Sequence, residues 1–259
     1  MINKYKIENK INTGSFGNVY KCSYNNKIYA IKEDKYINNL MYEAKIYNMI
    51  RGISNISPLI NTFSSNNTYY LVLDYYKYNL KDFKYMYFSQ DIYLLKVKNI
   101  ILTIINTLKD IHELGIIHRD LKPTNICLNG NFVPFLIDFG LSKKIIINNK
   151  HIDIKNIKAV IGSYSFVSIN VINLIEPSRR DDIESLVYIY MYMILTENKY
   201  IEYNNISLKS KKKLQIFIDF LTVTYDNTNL INNIIQLIKY IRKMHFSQKP
   251  NYDYISKLF

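Results

Sequence analysis

His118-Arg119-Asp120-Leu121-Lys122-Pro123-Thr124-Asn125 is the stretch on which the reading of this chain turns. It sets a carboxylate, an ammonium and an amide close together at Asp120, Lys122 and Asn125. Upstream, Ile100, Ile101, Ile104, Ile105, Leu108 and Ile111 recur at helical spacing, and Gly115 suits the C-terminal end of that helix. Downstream, short strands are predicted near 126–128 and 134–137. Asp138-Phe139-Gly140 then follows the apolar run Phe135-Leu136-Ile137.

Further out, the first third of the chain reads as strands and tight turns. Residues 5–11 and 18–24 are β-prone and flank Thr13-Gly14-Ser15-Phe16-Gly17. Lys27-Ile28-Tyr29-Ala30-Ile31-Lys32 follows an Asn25-Asn26 turn, and strands are also predicted at 59–63 and 69–74. A helix over 38–50, ended near Gly52, carries Glu43. Glycines let backbone close over phosphates because no Cβ obstructs the approach. A lysine held by a carboxylate, as Lys32 and Glu43 can be, presents its charge to phosphates. From Asp91 onward the pattern turns helical, and after the two short strands it reads as mostly helices to the end of the chain. A β-rich third joined to an α-rich remainder predicts two lobes, and clefts at such junctions hold small ligands.

In this order, the four elements resemble a protein kinase. Its catalytic loop reads His-Arg-Asp, four residues, then Asn, and 118–125 match throughout. On that resemblance Asp120 accepts the proton of the substrate hydroxyl, Asn125 and Asp138 hold Mg2+, and Lys122 faces the γ-phosphate as in Ser/Thr kinases. Lys32, paired with Glu43, meets the α- and β-phosphates. The C-terminal half is similar to the casein kinase I family. Ser168-Ile169-Asn170 stands where other kinases carry Ala-Pro-Glu, the run from Ser178 to Leu186 follows the family almost letter for letter, and the ending from Phe246 to Tyr254 resembles the family's last helical region. Vaccinia-related kinases are neighbours, but their loop usually reads His-Gly-Asp, so Arg119 favours casein kinase I.

The resemblance implies an α+β, bilobal kinase fold in one domain over 1–259. The β-rich N-lobe is expected over about 1–74, the hinge over about 74–78 and the helical C-lobe over about 79–259. It implies ATP and Mg2+ as cofactors. Ile11, Val19 and Ala30 are expected over the purine and Cys127 beneath it. Leu73 is expected as gatekeeper, with backbone groups of Asp74 and Tyr76 on adenine. Asn12, Gly14, Ser15 and Gly17 form the expected phosphate loop.

The chain also departs from the family. Asn12 replaces the first glycine of the phosphate loop. Asn tolerates positive φ, so the turn is expected to survive with weaker ATP binding. Val187 replaces a glycine, so helix packing there must have adjusted. The family's Leu-Pro-Trp gives way to Thr196-Glu197-Asn198-Lys199-Tyr200, with a shorter loop after it. Gly162-Ser163-Tyr164-Ser165-Phe166 stands where the family usually reads Gly-Thr-Ala-Arg-Tyr. Ser165 cannot supply that arginine's charge to a phosphorylated substrate. Lys209, Lys211, Lys212 and Lys213 could compensate as an anion site, or be a solvated face. Between Gly140 and Ser168, the candidate hydroxyl phosphosites are Ser142, Ser163, Tyr164 and Ser165, and constitutive activity is expected.

Composition bounds the partners. A chain of 259 residues with 48% hydrophobic content suits one large domain with a sizeable core. The apolar run Leu186–Leu195 is too short to cross a bilayer, and the first residues lack the apolar core of a secretory signal. Two cysteines, Cys22 and Cys127, make no disulfide framework and fit a reducing cytosol or nucleus, that of a host cell if the source is viral. The net charge of +13 attracts acidic or phosphorylated proteins, or nucleic acid. AT-rich codon usage explains the crowding with Ile, Asn, Lys and 25 Tyr equally well, and no nucleic-acid motif is present. Protein substrates, no membrane and a monomer are expected. Two alternatives stand beside a kinase. A pseudokinase scaffold is motivated by Asn12, Val187 and the missing C-lobe segment, and opposed by the joint presence of Lys32, Glu43, Asp120, Asn125 and Asp138. A small-molecule phosphotransferase is opposed by Lys122 and Ser168-Ile169-Asn170.

Overall fold

Paired asparagines turn the chain at three hairpins. Asn25–Asn26, Asn66–Asn67 and Asn148–Asn149 all have positive φ, between 48° and 61°. Two consecutive left-handed residues make the tight hairpin whose twist matches that of the flanking strands, and Asn is among the few residues that tolerate it. The computed structural model describes residues 2–14, 17–34, 37–201, 219 and 228–259. Ser15 and the lysines at 209 and 211–213 lie outside the described residues.

The first two Asn pairs help build a five-stranded antiparallel sheet in the order β1-β2-β3-β5-β4. The strands are β1 (Lys6–Gly14), β2 (Gly17–Tyr24), β3 (Lys27–Asp34), β4 (Leu59–Ser65) and β5 (Thr68–Asp74). Side chains alternate across the sheet. Tyr70 and Val72 join Tyr5, Cys22 and Ile31 in one cluster, whereas Leu71 and Leu73 join the main core with Leu40, Ala44 and Tyr47 of α1 (Ile37–Met49). Lys32, one residue past Ile31, therefore points towards α1. Gly17 has φ +120°, and a Cβ there would collide with the carbonyl of Glu33.

Beyond the sheet, β6 (Tyr78–Asn79) leads into α2 (Leu80–Lys84), which Asn79 and Asp82 close with a capping box. The predicted apolar helix is α3 (Gln90–Glu113), and its isoleucines at 100, 101, 104, 105 and 111 are buried. Leu114 caps it, and Gly115 follows with φ +71°. β7 (Ile116–Ile117) precedes the catalytic stretch, and β8 (Ile126–Leu128) and β9 (Pro134–Leu136) follow it, pairing as β6-β8-β9.

The helical expectation after residue 137 needs correction. β10 (Lys143–Lys144) pairs with β7, and β11 (Ile146–Ile147) pairs with β12 (Lys150–His151) across the third Asn pair. Helices resume with α4 (Ile169–Ile172), α5 (Arg179–Ile194), α6 (Thr228–Lys243) and α7 (Tyr252–Leu258). Val187 is fully buried in α5, where its side chain joins the core. Tyr200, in the segment that departs from the family, packs its ring against Tyr192 at 4.8 Å and Phe166 at 6.4 Å.

α5 is buried from Arg179 to Met193 even though its first turns are charged. Such charges cost desolvation unless they are paired. Glu184 is matched by Arg242 of α6 at 2.9 Å, and Tyr188 donates its hydroxyl to the same carboxylate oxygen at 2.6 Å. Arg242→Ala, by stranding this carboxylate, is expected to destabilise the protein by about 3–5 kcal/mol, measured by urea unfolding followed by circular dichroism.

Candidate active site

Two groups of polar side chains meet where the sheet, α1 and the catalytic stretch converge. In the first, the Lys32 ammonium lies 2.7 Å from Glu43 Oε2 and 2.7 Å from Asp138 Oδ1. Glu43 and Tyr47 are four apart and share one face of α1. Tyr47 completes the contact, its hydroxyl accepting from the Asp138 N–H at 3.1 Å. Phe139 is fully buried, with its ring 5.0 Å from Tyr47 and 4.9 Å from His118. Asp138 takes positive φ, +65°.

In the second group, Asp120 is almost wholly buried and both its oxygens are engaged. Oδ2 receives Lys122 Nζ at 2.7 Å and Asn125 Nδ2 at 3.3 Å. Oδ1 receives the Ser163 N–H at 2.9 Å and the Ser163 hydroxyl at 2.8 Å. Gly162 makes that approach possible, because at φ +95° a Cβ would collide with the Arg119 carbonyl. The two groups are tied by the Ile137 N–H donating to the Asn125 carbonyl at 3.0 Å.

The backbone of the loop is fixed from below by Asp182 of α5. Its Oδ2 accepts from the His118 N–H at 2.7 Å and its Oδ1 from the Arg119 N–H at 2.9 Å. His112 meets the same carboxylate at 2.9 Å. The neighbouring Asp181 accepts from the Ser168 hydroxyl at 2.5 Å and the Asn170 amide at 2.9 Å. The Ser168-Ile169-Asn170 motif is thus a pair of donors for a buried carboxylate.

The protein kinase domain family matches residues 5–257 of this chain. The chain belongs to the protein kinase family. A probable casein kinase I homolog of Encephalitozoon cuniculi (strain GB-M1) is 31% identical, over 98% of this chain and 83% of its own length. That identity and coverage place the kinase with casein kinase I, and it is an ATP-dependent protein serine/threonine kinase. The structure of vaccinia related kinase 3 is similar in fold, with a TM-score of 0.77 at 14% identity over 98% of this chain and 85% of that one.

The remaining residues proposed for the kinase's nucleotide site are distributed as follows. Val19 sits opposite both Asn12 and Lys32, and Ala30 sits opposite Leu73, all within the sheet. Ile11 is exposed and Leu73 buried. Gly14 pairs with Gly17 at the turn. Asp74 ends β5 opposite Tyr29, and the Tyr76 ring stacks on Phe135 at 4.9 Å. Cys127 pairs with Phe135 and Asn79, and burial pushes its thiol up to about 12. Asn12 corrects the expectation of a left-handed turn residue. It lies in β1 opposite Val19, beside a register shift, and its φ is not positive.

Electrostatics sharpens the first group. Burial works against the Asp138 carboxylate, but the charge and hydrogen bond of Lys32, with His118 and Lys122 behind them, hold it below its ordinary range. Lys122 thus acts on both aspartates. Burial works against the Lys32 ammonium too, yet Glu43 and Asp138 raise its pKa. Burial dominates at Glu43, pushing it up to about 7 against the pull of Lys32. Ser163, Tyr47, Asp182 and His112 were not anticipated as site residues. Their contacts span 43 to 91 positions where they touch Asp120 or Asp138, and no local pattern encodes such pairings.

Two outcomes are expected. Glu43 is ionised above about pH 7 and takes a proton below it, weakening its hold on Lys32. KM for ATP is therefore expected to rise as pH falls from about 8 to 6, and to be high and flat in Glu43→Gln, by steady-state kinetics. Ser163→Ala keeps the backbone donor but removes the hydroxyl bond to a charged acceptor, a contribution of about 1.5–3 kcal/mol. A kcat loss of roughly 10- to 100-fold with little change in KM for ATP is expected.

Proposed function

We propose that this kinase transfers the γ-phosphoryl group of ATP to Ser or Thr hydroxyls of proteins, with Asp120 as base. The carrying observation is the double restraint on Asp120, with Lys122 on one oxygen and Ser163 on the other. A carboxylate so held can orient a substrate hydroxyl and take its proton without reorganising first. Lys122, at 2.7 Å from that carboxylate, adds positive charge where the transferred group develops negative charge.

The residues present fit a Mg2+-bound nucleotide. Asn125 spends its amide nitrogen on the Asp120 carbonyl at 2.9 Å, so its remaining polar atom is an oxygen. Together with the Asp138 carboxylate it offers the hard oxygen donors that Mg2+ takes. At Gly17 the absent side chain lets β2 press against the Glu33 carbonyl of β3. Lys32, fixed by Glu43 and Asp138, is placed to meet phosphate oxygens. Bound Mg2+ATP supplies the phosphoryl group and neutralises charge on it.

Acidic or phosphorylated proteins suit the net charge of +13. Ser165, in place of the family's arginine, weakens the case for a strict need for phosphorylated ones. Activity without phosphorylation of the chain itself is supported by two serines. Ser142 is fully buried, and Ser163 is committed to Asp120. The closed contact of Lys32 with Glu43 and Asp138 speaks against a role as scaffold alone.

With Mg2+ATP and casein, Asp120→Asn is expected to lose about 10²–10⁴-fold in kcat. Near-saturating Mg2+ATP is expected to stabilise the wild type by about 2–3 kcal/mol in thermal melts, and Asp138→Asn to lose that gain. Equal phosphate transfer by wild type and Asp138→Asn would sink the reading.

A further inference from the structure

Glu176 is a carboxylate only 1% exposed, in the loop between α4 and α5. Three cations surround it. Lys143 Nζ lies 2.8 Å from its Oε1, Arg119 Nη1 3.7 Å from the same atom, and Lys155 Nζ 4.0 Å from Oε2. They come from three separated stretches of chain. Arg119 stands beside Asp120 in the catalytic loop, Lys143 follows the Asp138-Phe139-Gly140 turn, and Lys155 lies beyond the β11–β12 hairpin. The main chain reinforces the junction, the Glu176 N–H donating to the Lys155 carbonyl at 2.9 Å and the Ile157 N–H to the Leu174 carbonyl at 2.8 Å.

Arg119 does more than face this carboxylate. Its Nε donates to the Leu141 carbonyl at 2.5 Å, and its backbone is at positive φ, +70°. The next residue, Ser142, offers its carbonyl to the Tyr42 hydroxyl at 2.9 Å, and Tyr42 adjoins Glu43 on α1. One continuous set of contacts therefore runs from Glu176 through Arg119 to the segment after Gly140 and on to the helix that holds Lys32. Kinases switched by phosphorylation order this segment with a phosphate set against arginine. Here a side chain of the protein already brings negative charge to the arginine.

We propose that Glu176 is a positioning residue for phosphoryl transfer, a permanent internal anion that holds Arg119 and Lys143 in the arrangement the catalytic loop needs. The proposal rests on the kinase reading above and adds a residue and a physical reason for activity without a phosphorylated segment. Removing the charge frees two cations that then repel each other across the loop, and the Asp120 side of the site loses its fixed position. Lys32 itself is held by Glu43 and Asp138, neither of which bonds to Glu176 or Arg119. The defect thus falls on turnover rather than on ATP binding.

The test uses the full chain, treated with phosphatase, with casein and Mg2+ATP. Glu176→Gln keeps the shape of the side chain and removes its charge. Its kcat is expected to fall about tenfold, with KM for ATP within about twofold of wild type, and Glu176→Asp is expected to lie between. Lys143→Gln is expected to lose about threefold, and the double variant to be no worse than Glu176→Gln alone, because both substitutions break one network. Amide exchange at residues 118–120 and 141–143 is expected to rise in Glu176→Gln, a reading that needs no turnover. The proposal is overturned if Glu176→Gln keeps kcat within about twofold of wild type, if the two losses multiply, or if exchange at those amides is unchanged. An inactive wild type would instead overturn the kinase reading, and amide exchange would still decide this one. Should Glu176→Gln fail to fold, Lys143→Gln carries the same exchange test, since its side chain is 26% exposed and its loss leaves no buried cation behind.

Discussion

Three carboxylates in the first turns of one buried helix hold the catalytic half of this kinase together. Asp181 receives Ser168 and Asn170, Asp182 receives the backbone of His118 and Arg119, and Glu184 receives Arg242 and the Ile169 N–H. Burying such groups is costly, and burial does push the Asp181 carboxyl up, with its hydrogen bonds acting against that. At Asp182 the opposing interactions win. Burial alone would raise it, but His112 and neighbouring donors hold it below the ordinary carboxylate range. The helix N-terminus adds a favourable field for negative charge. Breaking such a pair strands a charge in the core, so these contacts act less as a source of stability than as a demand for one arrangement.

That demand separates what the sequence reveals from what it hides. The apolar face of α3 and the first Asn-Asn turn are local, so spacing and residue type disclose them. The catalytic stretch and the Asp138 turn are legible because several chemically distinct residues must recur at fixed offsets. The same Asn-Asn signal at 148–149 marks the β11–β12 hairpin. Ser163 and Tyr47 escaped because their meaning lies in partners far away in the chain. Asn12 misled because a family glycine implies a turn, whereas the backbone there is extended and asks for no special residue.

The distribution of charge also separates the site from the surface. A surplus of cations covers the chain, but exposed pairs contribute little to stability, and salt screens them. The contacts that matter to catalysis are largely withdrawn from water. Lys32 is 13% exposed and its partner Glu43 is 2% exposed, so each depends on the other for its charged form. A residue change on the surface alters what the kinase attracts, whereas a change at these positions alters whether it works.

Among the described residues, Gly17 and Gly162 are glycines at which an added Cβ would strike a main-chain carbonyl, that of Glu33 and that of Arg119. A genome that drifts towards Ile, Asn, Lys and Tyr codons can repaint nearly every outward position without disturbing these joints. At the joints themselves it has no freedom, because even a methyl group would wedge β2 away from Glu33 or push the Gly162–Ser163 backbone off Arg119 and Asp120. Whatever the origin of the chain's richness in Ile, Asn, Lys and Tyr, it meets a steric limit at these two glycines.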